Sequence, residues 1–259
     1  MATDFVKSTP VNNMASRTSV EDAANLVSGP AFRHSPQVPL PGYLEEVYWW
    51  AYLHPTAVRL FERKWLVNLI LWGNFARLRD LALQEIAPAF DGKVLQVACV
   101  YGDLTGRMAQ KMGPDGQLDV VDVLPVQLKN LSAKLDRDPR IALHHQDSTN
   151  LRFEDGSYDR VVVFFLLHEQ PAGVRLQTIA QALRVTKPGG KVIFVDYHEP
   201  RRSNPFRYVM VPILKFLEPF ALDMWHNQIA DWIPRNVHPA AIEKQTYFGE
   251  LYQKVVITR

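Results

Sequence analysis

The feature that most constrains the fold is an alternation of short apolar runs and amphipathic stretches between Lys93 and Tyr197. Five runs have the length and β-branched content of buried strands: KVLQVACV, QLDVVDV, RIALHHQD, YDRVVVFFLL and KVIFVDY. The intervening segments RMAQKM, LPVQLKNLSAKL and VRLQTIAQALRVT have helical periodicity. This order predicts a mostly parallel sheet with helices on both faces. The closing segment QTYFGELYQKVVITR indicates a hairpin at the sheet edge, which brings the expected number of strands to seven.

Length and charge narrow the class of protein. A chain of 259 residues fits one α/β domain with modest additions. The formal net charge of +2 is too balanced to indicate a nucleic-acid partner. The single cysteine, Cys99, excludes an intramolecular disulfide and is compatible with a reducing cytoplasm. The sequence has no apolar run of about 20 residues and no secretory signal pattern, so we expect a cytoplasmic protein.

Three segments flank or interrupt the alternating core. Residues 1–40 are rich in Ser, Asn, Pro and Ala and predict a mobile tail, whereas residues 41–259 predict a single catalytic domain. Within that domain, residues 41–90 predict two helices, the second running without interruption from Thr56 to its stop at Pro88. Residues 200–235 form an apolar, aromatic insertion after the fifth core strand. Ligands bind beside the carboxyl ends of such strands, so the insertion is a candidate lid or membrane-docking surface.

The first strand-to-helix turn, from Gln96 to Gly102, is where a doubly wound sheet approaches a nucleotide-like ligand most closely. Asp122 ends the second strand, where a carboxylate accepts hydrogen bonds from ribose hydroxyls, and Asp147 follows the third strand near the expected adenine. Either aspartate alone is equally well explained as a helix cap, but the order and spacing favour a binding site. The predicted cofactor-binding residues are Gln96, Ala98, Tyr101, Gly102, Asp122, Val123, Asp147 and Ser148.

With these features, residues 90–200 resemble the class I S-adenosylmethionine-dependent methyltransferases. This resemblance implies their Rossmann-like α/β fold, here with N-terminal helices and a helical insertion over the active site. The motifs VYWWAYLHP, FERKWLVNLILWGN and VACVYGDLT more closely resemble the RquA family of rhodoquinone-biosynthesis proteins, and this resemblance covers nearly everything after the tail. It implies replacement of a methoxy group of ubiquinone by an amino group. The amine would come from S-adenosylmethionine, with Mn²⁺ assisting.

The loop departs from the ordinary methyltransferase pattern of an acid followed by alternate glycines. Gln96 replaces the acid, Ala98 and Val100 replace two glycines, and Gly102 remains. A carboxylate favours the charged form of the cofactor's ammonium group, which has no lone pair, whereas a neutral amide removes that bias. We therefore expect Gln96 to help keep the amine nucleophilic. Drift in a tolerant loop, or a pocket for another ligand, explains the same residues.

Polar residues follow two neighbouring strands. His168 and Glu169 follow the fourth strand, and Asp196, His198 and Glu199 follow the fifth. Imidazole and carboxylate suit a divalent first-row ion such as Mn²⁺, which would act as a Lewis acid on the quinone oxygen. The predicted ligands, drawn mainly from the family resemblance, are His168, Asp196 and His198, with Glu199 in reserve. Ordinary methyltransferases carry a similar His-Glu pair without a metal, so that alternative stays open.

The predicted catalytic residues are Gln96, Tyr101 and His168. Tyr101 is expected to pack over the cofactor or to bind its carboxylate. The aromatic residues Tyr48, Trp49, Trp50 and Tyr52, with Phe206, Tyr208, Phe216, Phe220 and Trp225, are expected either to pack in the core or to form a cleft for ubiquinone.

Trp and Tyr also suit a membrane interface, and Arg201, Arg202 and Arg207 suit anionic head groups. Peripheral association with the inner membrane is therefore predicted. Two competing functions remain: a conventional methyltransferase acting on a quinone or other hydrophobic small molecule, and a non-catalytic sensor of a quinone or adenosyl ligand.

Overall fold

A computed structural model describes residues 31–33, 38–48, 64–99 and 101–259. The described residues form one eight-stranded sheet in the order β1-β4-β3-β2-β5-β6-β8-β7. The strands are β1 (Ala31–Arg33), β2 (Lys93–Val97), β3 (Gln117–Asp122), β4 (Ile141–His145), β5 (Tyr158–Phe164), β6 (Thr186–Tyr197), β7 (Ala241–Tyr247) and β8 (Tyr252–Thr258). Strands β1 to β6 pair in parallel, and β8 runs antiparallel to both of its neighbours. The predicted seven-stranded, Rossmann-like α/β fold is confirmed by β2–β8, and β1 is an addition.

The centre of the sheet sets the position of the site. Strand β2 pairs with β3 on one side and with β5 on the other. The chain therefore winds outward in one direction through β3 and β4, and in the other through β5 and β6. This reversal opens a crevice beyond the carboxyl ends of β2 and β5, where open α/β sheets bind their ligands. Val94, Leu95, Val162 and Val163 in these strands are almost fully buried, as expected of a sheet covered on both faces.

Eight α-helices lie in the described part of the chain. They are α1 (Gly42–Glu46), α2 (Lys64–Ile70), α3 (Phe75–Leu83), α4 (Leu104–Lys111), α5 (Pro125–Lys134), α6 (Ala172–Val185), α7 (Phe206–Leu217) and α8 (Asp223–His226). The continuous helix predicted up to Pro88 is wrong in two respects, because the chain breaks between α2 and α3 and because α3 ends at Leu83. Trp72 and Gly73 adopt positive φ angles of 52° and 78° there, a conformation that ends a helix.

The insertion is helical, as its pattern indicates, and it packs on the core. Helix α7 buries Met210 and Leu214, and Trp225 of α8 is also buried. The indole Nε1 of Trp72 lies 3.2 Å from the sulfur of Met210, and the Trp72 ring packs on Phe206. These contacts join the insertion to the N-terminal helices.

The tail predicted over residues 1–40 lies mostly outside the described residues. Within it, Ala31–Arg33 form β1, which pairs in parallel with β4 at the edge of the sheet. Trp49, Trp50 and Tyr52 of the aromatic cluster and Val100 of the loop also lie outside the described residues. Tyr48 is described and is buried in a small cluster with Leu44 and Leu124.

Candidate functional site

A pocket occupies the crevice at the carboxyl ends of β2, β3 and β5. Its wall on the sheet side comes from the strand ends, its N-terminal wall from α1 and α2, and its far side from the end of α7. The predicted residues that line it are Ala98, Tyr101, Asp122, Val123, Asp147, Ser148 and His168. The structure therefore brings seven predicted site residues around one cavity.

Asp122 forms the centre of the predicted adenosyl subsite. Its carboxylate accepts hydrogen bonds from the backbone N–H groups of Cys99, at 2.7 Å, and Leu124, at 2.8 Å. Burial raises the pKa of Asp122 to about 6 even though these bonds favour the ionised form. A carboxylate has about four acceptor positions, so the two backbone bonds leave room for ribose hydroxyls.

Gln96 is fully buried and supports the loop from inside. Its Nε2 donates to the carbonyl of Ala98 at 2.9 Å, and its Oε1 accepts from the hydroxyl of Thr105 at 2.7 Å. Ala98 has a φ of 70°, a conformation that an L-residue adopts at a cost of about 1–2 kcal/mol. A glutamate at position 96 has no proton to donate in its ionised form and would place an oxygen against the Ala98 carbonyl.

Tyr101 and Gly102 lie at the end of the loop that follows β2. Gly102 has a φ of 97°, and a Cβ added there would meet the Phe75 ring at 2.4 Å. The glycine therefore makes room for the Phe75 ring of α3, and its predicted contact with the cofactor stays a prediction. Tyr101 does line the pocket, and its hydroxyl accepts a hydrogen bond from Gln127 Nε2 at 2.9 Å.

Asp147 and Ser148 form the far wall of the same subsite. Asp147 accepts a hydrogen bond from the backbone N–H of Thr149, and the Ser148 hydroxyl lies 2.9 Å from that of Thr178. Gln170 Nε2 donates to the Ser148 hydroxyl at 3.1 Å. These bonds fix the turn after β4 against the segment that follows β5.

His168 is buried and is held by Asp196 at the end of β6. Its Nδ1 lies 2.9 Å from Asp196 Oδ1, and the backbone N–H groups of Leu167 and His168 donate to Asp196 Oδ2. Burial opposes the charged imidazole, but the charge and hydrogen bond of Asp196 outweigh it and raise the pKa of His168 to about 9. Because Nδ1 faces Asp196, Nε2 is the atom available to the pocket.

Two further carboxylates stand near that imidazole. Glu169 Oε1 lies 3.9 Å from His168 Nε2. One ligand atom from each of His168, Glu169 and Glu218 lies within 4.8 Å of the others. Glu218, at the end of α7, has a raised pKa because it is buried, and its Oε2 has no hydrogen-bond partner among the described residues.

The predicted ligand set of His168, Asp196 and His198 is not assembled. Both Asp196 oxygens already accept protein N–H groups. His198 points to the β7–β8 hairpin, where Nδ1 donates to the carbonyl of Glu250 and Nε2 faces the Lys244 amine. The reserve ligand Glu199 forms a 2.7 Å ion pair with Arg207.

The pocket also contains residues that the sequence patterns missed. Glu218 comes from the insertion, and Tyr43 comes from α1, far from His168 in the sequence. Tyr43 lies near Asp147 and Glu169; burial first, and then these charges, raise its pKa. An isolated carboxylate at the end of an apolar helix was the available signal for Glu218, because a charge in such a stretch needs a partner.

Comparisons with known proteins find methyltransferases among the proteins that are similar to this chain. Residues 94–190 match a family model described as a methyltransferase domain. Demethylmenaquinone methyltransferases from Staphylococcus aureus, those of strains JH9 and Newman among them, are 28% identical over 154 residues. The match covers 60% of this chain and 63% of the length of those relatives.

Solved structures share the fold at low sequence identity. Human N-acetylserotonin methyltransferase in complex with SAM has a TM-score of 0.59 at 14% identity, covering 86% of this chain and 60% of that one. An O-methyltransferase family protein from Burkholderia thailandensis has a TM-score of 0.55 at 16% identity, covering 77% and 61%. At these identities the likeness shows the fold alone.

The raised pKa of Asp122 predicts how ligand affinity depends on pH. Ribose hydroxyls donate to the ionised carboxylate, so S-adenosylmethionine should bind with constant affinity above about pH 7. Below about pH 6 the affinity should fall by up to about tenfold per pH unit, since one pKa unit corresponds to about 1.4 kcal/mol. Calorimetric titration from pH 8 to pH 5 measures this.

Two variants accompany that titration. The Asp122→Asn variant should bind S-adenosylmethionine about tenfold more weakly at pH 8, because the NH2 group of its amide cannot accept one of the two backbone bonds. Its affinity should not fall near pH 6, because the amide does not titrate. Asp138→Asn, which removes a carboxylate paired with Arg140 outside the pocket, should follow the parent protein. Equal affinity at pH 8 and pH 5 in the parent would contradict the assignment of Asp122.

Proposed function

Because the domain match and the fold point to the class I S-adenosylmethionine-dependent methyltransferase superfamily, we propose that this chain is an enzyme that transfers an amino group from S-adenosylmethionine to ubiquinone. The amino group replaces a methoxy group, which gives rhodoquinone, as the resemblance to the RquA family implies. One observation carries the proposal. The pocket is lined by a group of imidazole and carboxylates, of which His168 is buried, and the loop that follows β2 carries a neutral amide at the buried position 96.

Gln96 supports the amino-transfer reaction through its lack of charge. The donor's nitrogen attacks the ring only when it is uncharged, and each pKa unit by which a carboxylate stabilises the ammonium costs about 1.4 kcal/mol. The Gln96 amide bonds to Ala98 and Thr105 and adds no negative charge to the loop. The ring carbon then forms a bond to nitrogen and loses its methoxy group, which leaves with a proton as methanol. The nitrogen of this adduct still carries the donor's α-carbon. Transfer of the α-hydrogen and two electrons to the quinone ring gives an imine, and water hydrolyses it to rhodoquinone in its quinol form and an α-keto acid.

His168 and its carboxylate neighbours serve the quinone end of the pocket. Negative charge develops on the quinone oxygen during attack, and positive charge held close to that oxygen lowers the barrier. Asp196 fixes the ring of His168 so that Nε2 points toward the pocket. Tyr101, in the loop, contributes a ring and a hydroxyl to the adenosyl side of the same cavity.

The residues present fit a divalent cation at a different place from the predicted one. Glu218 Oε2 is a buried carboxylate oxygen without a hydrogen-bond partner in the described chain, and one ligand atom from each of His168 and Glu169 lies within 4.8 Å of one on Glu218. Ligand atoms on opposite sides of a small divalent ion stand roughly 4 Å apart, so small movements would complete the set. We assign Mn²⁺ to His168, Glu169 and Glu218, where it would act as a Lewis acid on the quinone oxygen.

A membrane surface is proposed as the source of the substrate. Among the described residues, no helix combines the length and the apolar character required to cross a bilayer. Trp65 and Leu69 of α2, and Phe216 of α7, are nevertheless 59%, 61% and 86% exposed. Val67 and Ile70 of α2 line the pocket, and Glu218 directly follows α7, so both exposed faces border the cavity. Peripheral docking there would bring an isoprenoid quinone to the site.

Methylation of a quinone is the second candidate function. The relatives named demethylmenaquinone methyltransferases favour it, and its pocket requirements overlap with those of amino transfer. The two reactions differ in which part of the donor enters the product.

Isotope tracing tests the two functions directly. With S-adenosylmethionine labelled at the amino nitrogen, ubiquinone and Mn²⁺, we expect a lighter quinone that has lost a methoxy group and gained the label. Mass spectrometry of the extracted quinones measures this. A second incubation, with the label in the methyl group and a demethylated quinone in place of ubiquinone, should leave the quinone unlabelled. A methyl-labelled, heavier product would establish methylation and refute amino transfer.

Manganese titration distinguishes the two ligand sets. Glu218→Gln should weaken Mn²⁺ binding, followed by electron paramagnetic resonance, by at least the roughly 10–100-fold that loss of an outer-shell partner costs. His198→Ala should leave Mn²⁺ affinity as in the parent, because that ring contacts Glu250 and Lys244 instead. Loss of affinity in His198→Ala alone would restore the set predicted from the sequence.

Vesicle sedimentation tests the docking surface. Phe216→Ser should lower partitioning onto vesicles of anionic phospholipid by about tenfold, since burying a large apolar side chain contributes about 1.5–3 kcal/mol. Leu176→Ser is the matched control, because Leu176 is 46% exposed on α6 but does not line the pocket. Equal partitioning of both variants with the parent would rule out this surface.

A further inference from the structure

A single buried arginine joins the two segments that carry the polar cluster. Arg175, in the first turns of α6, has no exposed surface. Its Nε donates to the carbonyl of Leu167 at 2.9 Å, and its Nη2 donates to the carbonyls of Gln170, at 2.8 Å, and Phe220, at 3.0 Å. The guanidinium also lies over the Trp232 ring, with its carbon 4.6 Å from the ring centre.

The three carbonyls that Arg175 contacts belong to two different segments of the pocket wall. Leu167 and Gln170 bracket His168 and Glu169 in the short segment after β5. Phe220 lies two residues after Glu218 in the insertion. Arg175 therefore bonds on one side to the segment that carries the imidazole and on the other to the segment that carries the opposing carboxylate.

A contribution to folding stability does not explain why a charged arginine is buried at position 175. Burial lowers the pKa of Arg175, which reports the cost of removing the guanidinium from water. The nearest acid, Asp223, is 3.9 Å from Nη1, and Nη1 has no hydrogen-bond partner among the described residues. A well-packed apolar side chain often stabilises such a position as well or better. The planar, rigid guanidinium instead fixes geometry, because its N–H groups hold several carbonyls in fixed relative positions.

We propose that Arg175 is a positioning residue that sets the separation between Glu218 and the His168–Glu169 pair. It acts through the backbone of both segments and touches neither substrate nor cofactor. The proposal rests on the proposed function only in so far as the cluster binds Mn²⁺ and the quinone. The clamp, by which we mean the hydrogen bonds from Arg175 to the carbonyls of the two segments, is a property of the fold and is measurable without turnover.

A double-mutant cycle separates positioning from general support. Arg175→Met should lower Mn²⁺ affinity and kcat/KM for amino transfer by a factor similar to that of Glu218→Gln. The double variant should be little worse than either single variant, because both remove the same arrangement. The dissociation constant for S-adenosylmethionine should change much less than that for Mn²⁺, since Asp122 and the loop are untouched and, among the described residues, only the bond from Gln170 to Ser148 links Arg175 to the adenosyl subsite.

Arg184→Met supplies the matched control. Arg184 lies on the same helix and also donates to carbonyls, those of Leu151 and Phe153, but away from the pocket. In the corresponding cycle, the effects of Arg184→Met and Glu218→Gln on Mn²⁺ affinity and kcat/KM should be additive. If Arg175→Met does not fold, Arg175→Lys replaces it, because a lysine keeps the charge but not the planar fork.

Hydrogen exchange provides a readout that is independent of activity. In Arg175→Met or Arg175→Lys, amides of residues 165–171 and 218–224 should both exchange faster, while β2 and β3 keep their protection. An additive double-mutant cycle with unchanged exchange in both segments would overturn the positioning role. If the parent neither aminates quinone nor binds Mn²⁺, the proposed function fails, and faster exchange in the two segments would still establish the clamp.

Discussion

The site depends on one buried carboxylate. Asp196, at the end of β6, receives the backbone N–H groups of Leu167, His168 and Tyr197 and faces the imidazole Nδ1 of His168. A buried charge is tolerated only when it is paired and hydrogen-bonded, and here the segment after β5 provides those bonds. The same bonds give that segment its shape. The orientation of His168, the approach of Glu169 and the carbonyl positions used by Arg175 all follow from this connection between two neighbouring strands.

The insertion provides the part of the pocket wall that the sheet does not provide. The sheet places the adenosyl subsite and His168 at the carboxyl ends of its strands, as its topology requires. It provides nothing on the opposite side of the imidazole. Glu218 reaches that side because α7 is anchored through Met210 to Trp72 and through the following turn to Arg175. Helix α7 thus combines a buried face that fixes a carboxylate with an exposed apolar face beside the pocket.

The sheet, and the position of Asp122 and Asp147 around one pocket, were predictable, because strand periodicity and the strand-end rule depend on local sequence. The wrong details have local causes too. The side chains of Asp196 and His198 fall on one face of an ideal strand, but β6 ends at Tyr197 and the chain then turns toward β8, so His198 faces the hairpin. The break before α3 depends on two positive φ angles that apolar periodicity does not reveal. Glu218 needed tertiary structure, since no pattern connects an insertion to a strand end fifty residues earlier.

The altered loop is better explained as a coherent adaptation than as decay. Loss of a glycine at position 98 leaves an alanine in a left-handed conformation, which costs free energy unless something holds it. Gln96 offsets that cost by donating to the Ala98 carbonyl, and Thr105 holds the amide in place. A carboxylate cannot make that bond, so the missing glycine and the missing acid depend on each other. The neutral position proposed to spare the donor's lone pair is therefore also the one that keeps the loop folded, and random drift would not link the two changes.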